Sequence, residues 1–400
     1  MNFITNMFDR LEPTFSEGGR LSALHSLYDG FKSFMLIPND TAKAGGVHIH
    51  DVNDSKRTMI MVVVALVPCM LFGMWNAGYQ HFNAIGVEAG FWMQFAFGLL
   101  AVLPILIVSY VVGLAIEFTV AQWKKEEIQE GFLVTGFIIP LIVPIDTPLW
   151  MIAVATAFAV VFAKEVFGGT GYNIFNVALV TRAFLFFSYP SKMSGDKVWV
   201  RTRDAFWWQG GEAVDGFTGA TPLGQVATAT GGEVQLHDTL GNDLSFMDAF
   251  IGWIPGSVGE TSTICILIGA ALLLFAGVAS WKTMLSVFVG GALTAMAFNA
   301  WGPQDNAAAM LPWYMHLVLG GFAFGAVFMA TDPVTSARTE TGKWIYGLLI
   351  GVLAIVIRVL NPGYAEGMML AILLMNIFGC LIDWCVIESN IKRRMKRSKL

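Results

Sequence analysis

Residues 92–118 read WMQFAFGLLAVLPILIVSYVVGLAIEF and carry a single charge, Glu117. A run of about 18 or more apolar residues is long enough to cross the hydrocarbon of a bilayer as a helix. In that solvent every backbone N–H and C=O must be satisfied within the protein, so a helix is the expected element. The rest of the 400-residue chain agrees: it is 56% hydrophobic, 13% charged, and has a mean hydropathy of +0.63. A soluble domain carries roughly 25% charged residues. The composition therefore excludes the soluble globular classes. The first 57 residues show no charged start followed by an apolar core, so no cleavable signal is expected.

Working outward from this run, ten apolar segments are expected, and the fold class is an all-α polytopic membrane protein. The first five lie at 58–75, 92–118, 131–144, 149–167 and 172–188; the second five lie at 261–280, 283–301, 312–330, 343–360 and 365–388. The third is short and ends in Pro140 and Pro144, which remove helix donors. Short or broken segments line cavities in membrane proteins, because irregular backbone is tolerated there.

Basic residues set the orientation. The N-terminal region holds Arg10, Arg20, Lys32, Lys43, Lys56 and Arg57, and six of the last nine residues are basic. Both termini are therefore expected on the cytoplasmic side, which an even number of spans allows. The interval 189–259 is then outside, with four Lys/Arg against eight Asp/Glu. Five domains follow: an N-terminal region 1–57, a five-helix unit 58–188, an outer loop 189–259, a second five-helix unit 260–388 and a basic tail 389–400. Five plus five segments suggest inverted repeats. A pairing of 175–184 with 331–340 sets Asn176 against Asp332 and Arg182 against Arg338.

Ionisable residues inside a membrane are costly and mark candidate functional sites. Asp383 lies in the last segment. Asp332 precedes Pro333, which disfavours helix there and leaves a carboxylate beside freed carbonyls, a grouping that suits a hard cation. Glu117 and Glu130 lie near segment ends, where solvation or pairing with Lys is the plainer reading. The stretch 164–176, KEVFGGTGYNIFN, offers Gly168, Gly169 and Gly171 for close backbone approach. Asn173, Asn176, Tyr172 and Phe175 add amide and stacking surfaces; a tight turn explains it equally well. Leu24, Leu27, Phe31, Phe34 and Met35 recur at helical spacing, as in a surface-lying amphipathic helix or one packed on a partner. The four cysteines lie in or beside apolar runs, form no C-x-x-C pair, and read as small hydrophobes.

The stretch 215–223, DGFTGATPL, reads as a pliable outer turn with an accessible hydroxyl. Its Thr218-Gly219-Ala220-Thr221 sequence resembles the flavinylation motif of the B-subunit family of Na+-translocating NADH:quinone oxidoreductases (Na+-NQR). KEVFGGTG with the NVAL and RAFLFF that follow it (164–187), EGFLVTG (130–136) and TDPVTS (331–336) match the same family, across essentially the whole chain. One departure is Val177, where family members often carry proline.

The resemblance implies a redox subunit of a sodium-pumping NADH:ubiquinone oxidoreductase in a bacterial inner membrane. It implies FMN joined through a phosphoester to Thr221 by a separate flavin transferase. It further implies riboflavin held near Asn173 and Asn176, and ubiquinone near Gly131, Phe132, Glu130 and the 24–35 helix. The Na+ path is assigned to Asp332 and Asp383, with Glu130 as a third candidate. Further subunits, membrane lipid and ubiquinone are the implied partners, and nucleic acid is not one. The nearest rival is the D subunit of the Rnf complex, which shares the motif but tends to lack so long an N-terminal region. A non-redox inverted-repeat ion transporter fits the acids but not the flavinylation motif.

Overall fold

In the computed structural model, residues 2–15, 28, 32, 55–124, 131–194, 198–205, 208, 210–229, 231–232 and 235–398 are described. The described residues are largely helical and contain no named strand. Glu130 and most of the 24–35 segment lie outside them. Within the N-terminal region, α1 (Asn2–Phe15) meets Tyr28, whose hydroxyl donates to the Phe8 carbonyl at 2.8 Å.

The first half contains α2 (Ser55–Ala84), α3 (Phe91–Lys124), α4 (Phe132–Ile142), α5 (Leu149–Ala159) and α6 (Val177–Ser188). After the connecting loops, which hold the short α7 (Pro222–Thr228) and α8 (Phe246–Ile251), come α9 (Thr263–Phe275) and α10 (Trp281–Trp301). The fragments α11 (Trp313–Val318) and α12 (Phe322–Phe324) follow, then α13 (Glu340–Leu360) and α14 (Met368–Ser398). Among the described residues, six helices are long and apolar enough to cross a membrane, α5 being counted with the turns that carry it on to Phe167, and α4, α6 and α9 are shorter apolar ones. The eighth expected segment is the α11–α12 run, broken at Gly320 (φ +65°) and continued by a π-turn over Gly325–Met329. The ten expected segments are thus six long helices, three short ones and one broken one.

The start of the fifth segment differs from expectation for a local reason. The fifth segment starts at Val177, because positive φ at Gly168, Gly169 and Gly171 turns the chain before it. Asn176 then caps α6, its Oδ1 accepting from Leu179 N at 3.2 Å. The sequence pairing of 175–184 with 331–340 is also corrected. The first stretch opens the fifth segment of its half, whereas the second leads into the fourth, α13. Asn176 and Asp332 are contact partners instead, at 3.2 Å.

The irregular helix ends inside the bundle are satisfied by neighbours, as a lipid environment requires. Gly259 N donates to Leu141 O at 2.8 Å, at the last turn of α4. Arg358 of α13 donates to His316 O at 2.7 Å and to Leu319 O at 3.2 Å, at the end of α11. Close packing of α10 on α13 depends on small residues: a Cβ at Gly351 would stand 2.2 Å from Val287 O. Large apolar side chains such as Val111, Phe162, Leu293 and Leu381 point outward, as a lipid-facing surface requires.

Two faces can be named from the connections. The loop face holds the 189–259 interval, which is fastened to the end of α2: Val214 N donates to Ala84 O at 2.8 Å and Thr239 Oγ1 to Gln80 Oε1 at 2.9 Å. The opposite, tail face holds the start of α2 and the basic end of α14.

Candidate functional site

Two clefts approach each other from the two faces. The tail-face cleft is bordered by the start of α2, the start of α4, the glycine turn, α6 and the 331–334 turn. It brings together Gly131, Asn173, Asn176 and Asp332, which the sequence assigned to three separate roles. Val62, Val134, Ile138 and Phe328 supply apolar walls, while Thr135 and Lys164 add polar groups. A planar heterocycle with polar edges suits such a lining.

The side chains around this cleft are held firmly. Asp332 accepts from Val334 N at 3.0 Å, from Thr335 Oγ1 at 3.2 Å and from Asn176 Nδ2 at 3.2 Å. Asn173 folds on its own turn, donating to Phe175 O at 3.0 Å and accepting from Gly171 N. Gly131 is required by close approach: a Cβ there would lie 2.6 Å from Thr170 Cγ2. Phe132 does not border the cleft. It is buried against α3, where a Cβ at Gly113 would meet its ring at 1.8 Å.

Behind that wall is a pair that sequence reading left unconnected. Glu117 of α3 and Lys164 form an ion pair with side chains only 5% and 6% exposed. Lys164 closes a π-turn over Val160–Lys164, and its Nζ stands 6.0 Å from the Phe132 ring centroid. Glu117 is thus paired with Lys, as one of its two plain readings had it, but in the interior rather than in solvent.

Asp383 lies elsewhere. Its carboxylate accepts from Arg338 N at 2.7 Å, Thr339 N at 2.9 Å and Thr339 Oγ1 at 2.6 Å. It therefore ties α14 to the start of α13, and it does not border either cleft.

The loop-face cleft is lined by Thr221, Leu223, Ile254, Ser257, Glu260 and Glu366, among others. Thr221 is not in a loose turn. It is half-buried and caps α7, its Oγ1 accepting from Gly224 N at 3.1 Å. Thr218 is spent on the preceding turn, with Oγ1 accepting from Ala220 N at 3.3 Å, and it does not line the cleft. At the floor, Arg182 of α6 donates to Glu260 at 2.7 Å and also pairs with Glu366. This joins the first half, the connector and the start of α14. Nothing in apolar periodicity links residues 78 and 184 positions apart; a lone arginine in an apolar helix was the available signal.

Asn176 borders one cleft and Arg182 holds the floor of the other. Six residues at a helical rise of 1.5 Å put them about 9 Å apart along α6.

The chain is 46% identical to the B subunit of the Na(+)-translocating NADH-quinone reductase of Chromohalobacter salexigens, over 98% of this chain and 96% of that protein. It is 44% identical to the corresponding B subunit of Klebsiella pneumoniae strain 342, covering 98% and 99% of the two chains. It is 43% identical to that of Pseudomonas aeruginosa PAO1, covering 99% of each. A family profile matches residues 43–392, most of the chain, and by that match the chain belongs to the NQR2, RnfD, RnfE family.

Proposed function

We propose that this protein is the membrane redox subunit of a sodium-translocating NADH:ubiquinone oxidoreductase. Its termini are cytoplasmic, its 189–259 loop is periplasmic, and the membrane is a bacterial inner membrane. The named relatives, similar over nearly their whole length, support this reading over the D subunit of the Rnf complex. They also support it over a non-redox transporter.

The observation that carries it is the pair of clefts on opposite faces: Asn176 lines one, the Arg182 partners Glu260 and Glu366 line the other with Thr221, and Asn176 and Arg182 stand about 9 Å apart along α6. Thr221 Oγ1 serves the fold as a hydrogen-bond acceptor. An ester oxygen keeps an acceptor lone pair, so a phosphoester there leaves the α7 cap in place. Covalent FMN on Thr221 fits these residues, and bound flavins supply the electron-carrying chemistry that side chains lack.

On the cytoplasmic side, Asn173, Asn176 and the cleft walls hold riboflavin. Gly131 stands at the rim where ubiquinone approaches, with Phe132 as the buried wall behind it; Glu130 and the 24–35 segment, which lie outside the described residues, are assigned to the same quinone by the family resemblance. Asp332 borders the sodium entry, and Asp383 acts on the path by fixing α13 against α14. Coupling needs an element whose cation affinity differs between two states; the broken α11–α12 run and the 331–334 turn next to Asp332 fill that part. The partner subunits bring electrons from NADH, and a flavin transferase modifies Thr221.

The test is flavin fluorescence of the denatured protein on a gel, after expression with its transferase. Wild type and Thr218→Ala should fluoresce and Thr221→Ala should be dark. A dark wild-type band removes the covalent-flavin reading, and a fluorescent Thr221→Ala band reassigns the residue.

A further inference from the structure

Among the described residues lining the cytoplasmic cleft, Lys164 and Asp332 are the two that carry charge. Asp332 is occupied by Asn176, Thr335 and a backbone N–H. Lys164 differs. Its ammonium is held from one side by Glu117 and lies over the Phe132 ring, yet the residue borders the cleft. The charges around it are Glu117 from α3, its chain neighbour Glu165, which pairs with Lys124 at 3.5 Å, and Asp332. Lys164 is placed by a π-turn, a feature that recurs at functional sites. A second π-turn, Gly325–Met329, borders the same cleft through Phe328. A buried ion pair is weak evidence for stability alone, since an apolar pair of equal volume often does as well.

We infer that Lys164 is the cationic side chain that stabilises the reduced form of the ring bound in this cleft, with Glu117 setting how much of its charge is available. The inference rests on the reading that the cleft holds a flavin ring. A neutral isoalloxazine that gains two electrons and one proton bears one negative charge. NADH oxidation releases two electrons and one proton, so the step balances without another reductant. In a water-poor cleft, a positive charge already in place favours the product without reorganisation. Glu117, paired with the ammonium from the side away from the cleft, offsets part of that charge and so sets how strongly the anion is favoured. Lys164 is a positioning and charge-compensating residue here; it forms no covalent bond.

The test uses the whole complex carrying Lys164→Met, Lys164→Arg, Glu117→Gln or Thr135→Trp. Flavin released by denaturation is quantified, and the midpoint potential of the flavin that Thr135→Trp displaces is followed by absorbance. Thr135→Trp fills the cleft and should strip that flavin. If the flavin stays, the reading of the cleft fails, and the inference with it. If it is stripped, Lys164→Met should keep flavin bound while disfavouring the reduced form at least tenfold, about 30 mV for a two-electron couple. Lys164→Arg should restore the midpoint, and Glu117→Gln should move it the opposite way. A wild-type midpoint in a flavin-loaded Lys164→Met complex overturns the inference while leaving the cleft reading intact. If Lys164→Met does not assemble, an unmoved or lowered midpoint in Glu117→Gln overturns it equally.

Discussion

Replacing Arg182 by Met tests the junction between the two halves. The guanidinium serves Glu260 and Glu366, with side-chain exposures of 5% for Arg182, 5% for Glu260 and 19% for Glu366. Methionine nearly conserves the volume, so the effect is electrostatic rather than a cavity. It leaves two carboxylates with little water and no cation paired directly to them, Arg358 reaching only the Glu366 backbone carbonyl at 3.2 Å. Removing one partner of a buried pair costs about 3–5 kcal/mol, which at roughly 1.4 kcal/mol per tenfold is a hundredfold to a few thousandfold in the folding equilibrium. The loss is an uncompensated charge, so neutralising the carboxylates should reverse much of it. The triple variant Arg182→Met, Glu260→Gln, Glu366→Gln is therefore expected to recover most of the stability. The assay is unfolding of the detergent-solubilised protein by heat or denaturant, followed by tryptophan fluorescence. A single variant as stable as wild type, or a triple variant no better than the single one, refutes the reasoning.

Gly351→Leu should separate α10 from α13, because even a Cβ would lie 2.2 Å from Val287 O; a loss of roughly 1–3 kcal/mol is expected for such overpacking, read by the same unfolding assay. Asp383→Ala removes three hydrogen bonds that fix the start of α13, so sodium stimulation of quinone reduction should weaken, and unchanged sodium dependence would take Asp383 off the path. Gly131→Val drives side-chain atoms into Thr170 beside the cleft and should alter the KM for quinone; wild-type kinetics would count against quinone at this rim.

Much of the membrane architecture was readable because lipid imposes a simple rule: apolar runs of sufficient length become helices. The run at 92–118 illustrates it, appearing as Phe91–Lys124 with Glu117 turned inward. The rule fails where the backbone is irregular. The 312–330 run is as apolar as its neighbours, yet Gly320 and the π-turn at 325–329 break it into fragments.

Site residues divide in the same way. Gly131, Asn173, Asn176 and Asp332 were legible because glycine, turn-forming amides and acids stand out in apolar sequence. Their convergence on one cleft was not, since it depends on how α4, α6 and the 331–334 turn pack. The Glu117–Lys164 pair was half visible as an acid and a lysine 47 residues apart. Phe132 was assigned to the quinone site together with Gly131 by the family resemblance, but its ring packs toward α3 rather than into the cleft. Thr221 was recognised through its motif, whereas its role as the cap of α7 follows from Pro222 at the first helical position, a placement that favours helix start.

The central claim is that Thr221 lines the outer cleft in order to carry a flavin, and peptide mass spectrometry tests it most directly. Protein made together with its flavin transferase and digested should yield a peptide spanning 215–228, heavier by one FMN less one water. Fragment ions should place the increment on Thr221. The same peptide recovered at its unmodified mass, or with the increment on Thr218, would contradict the account.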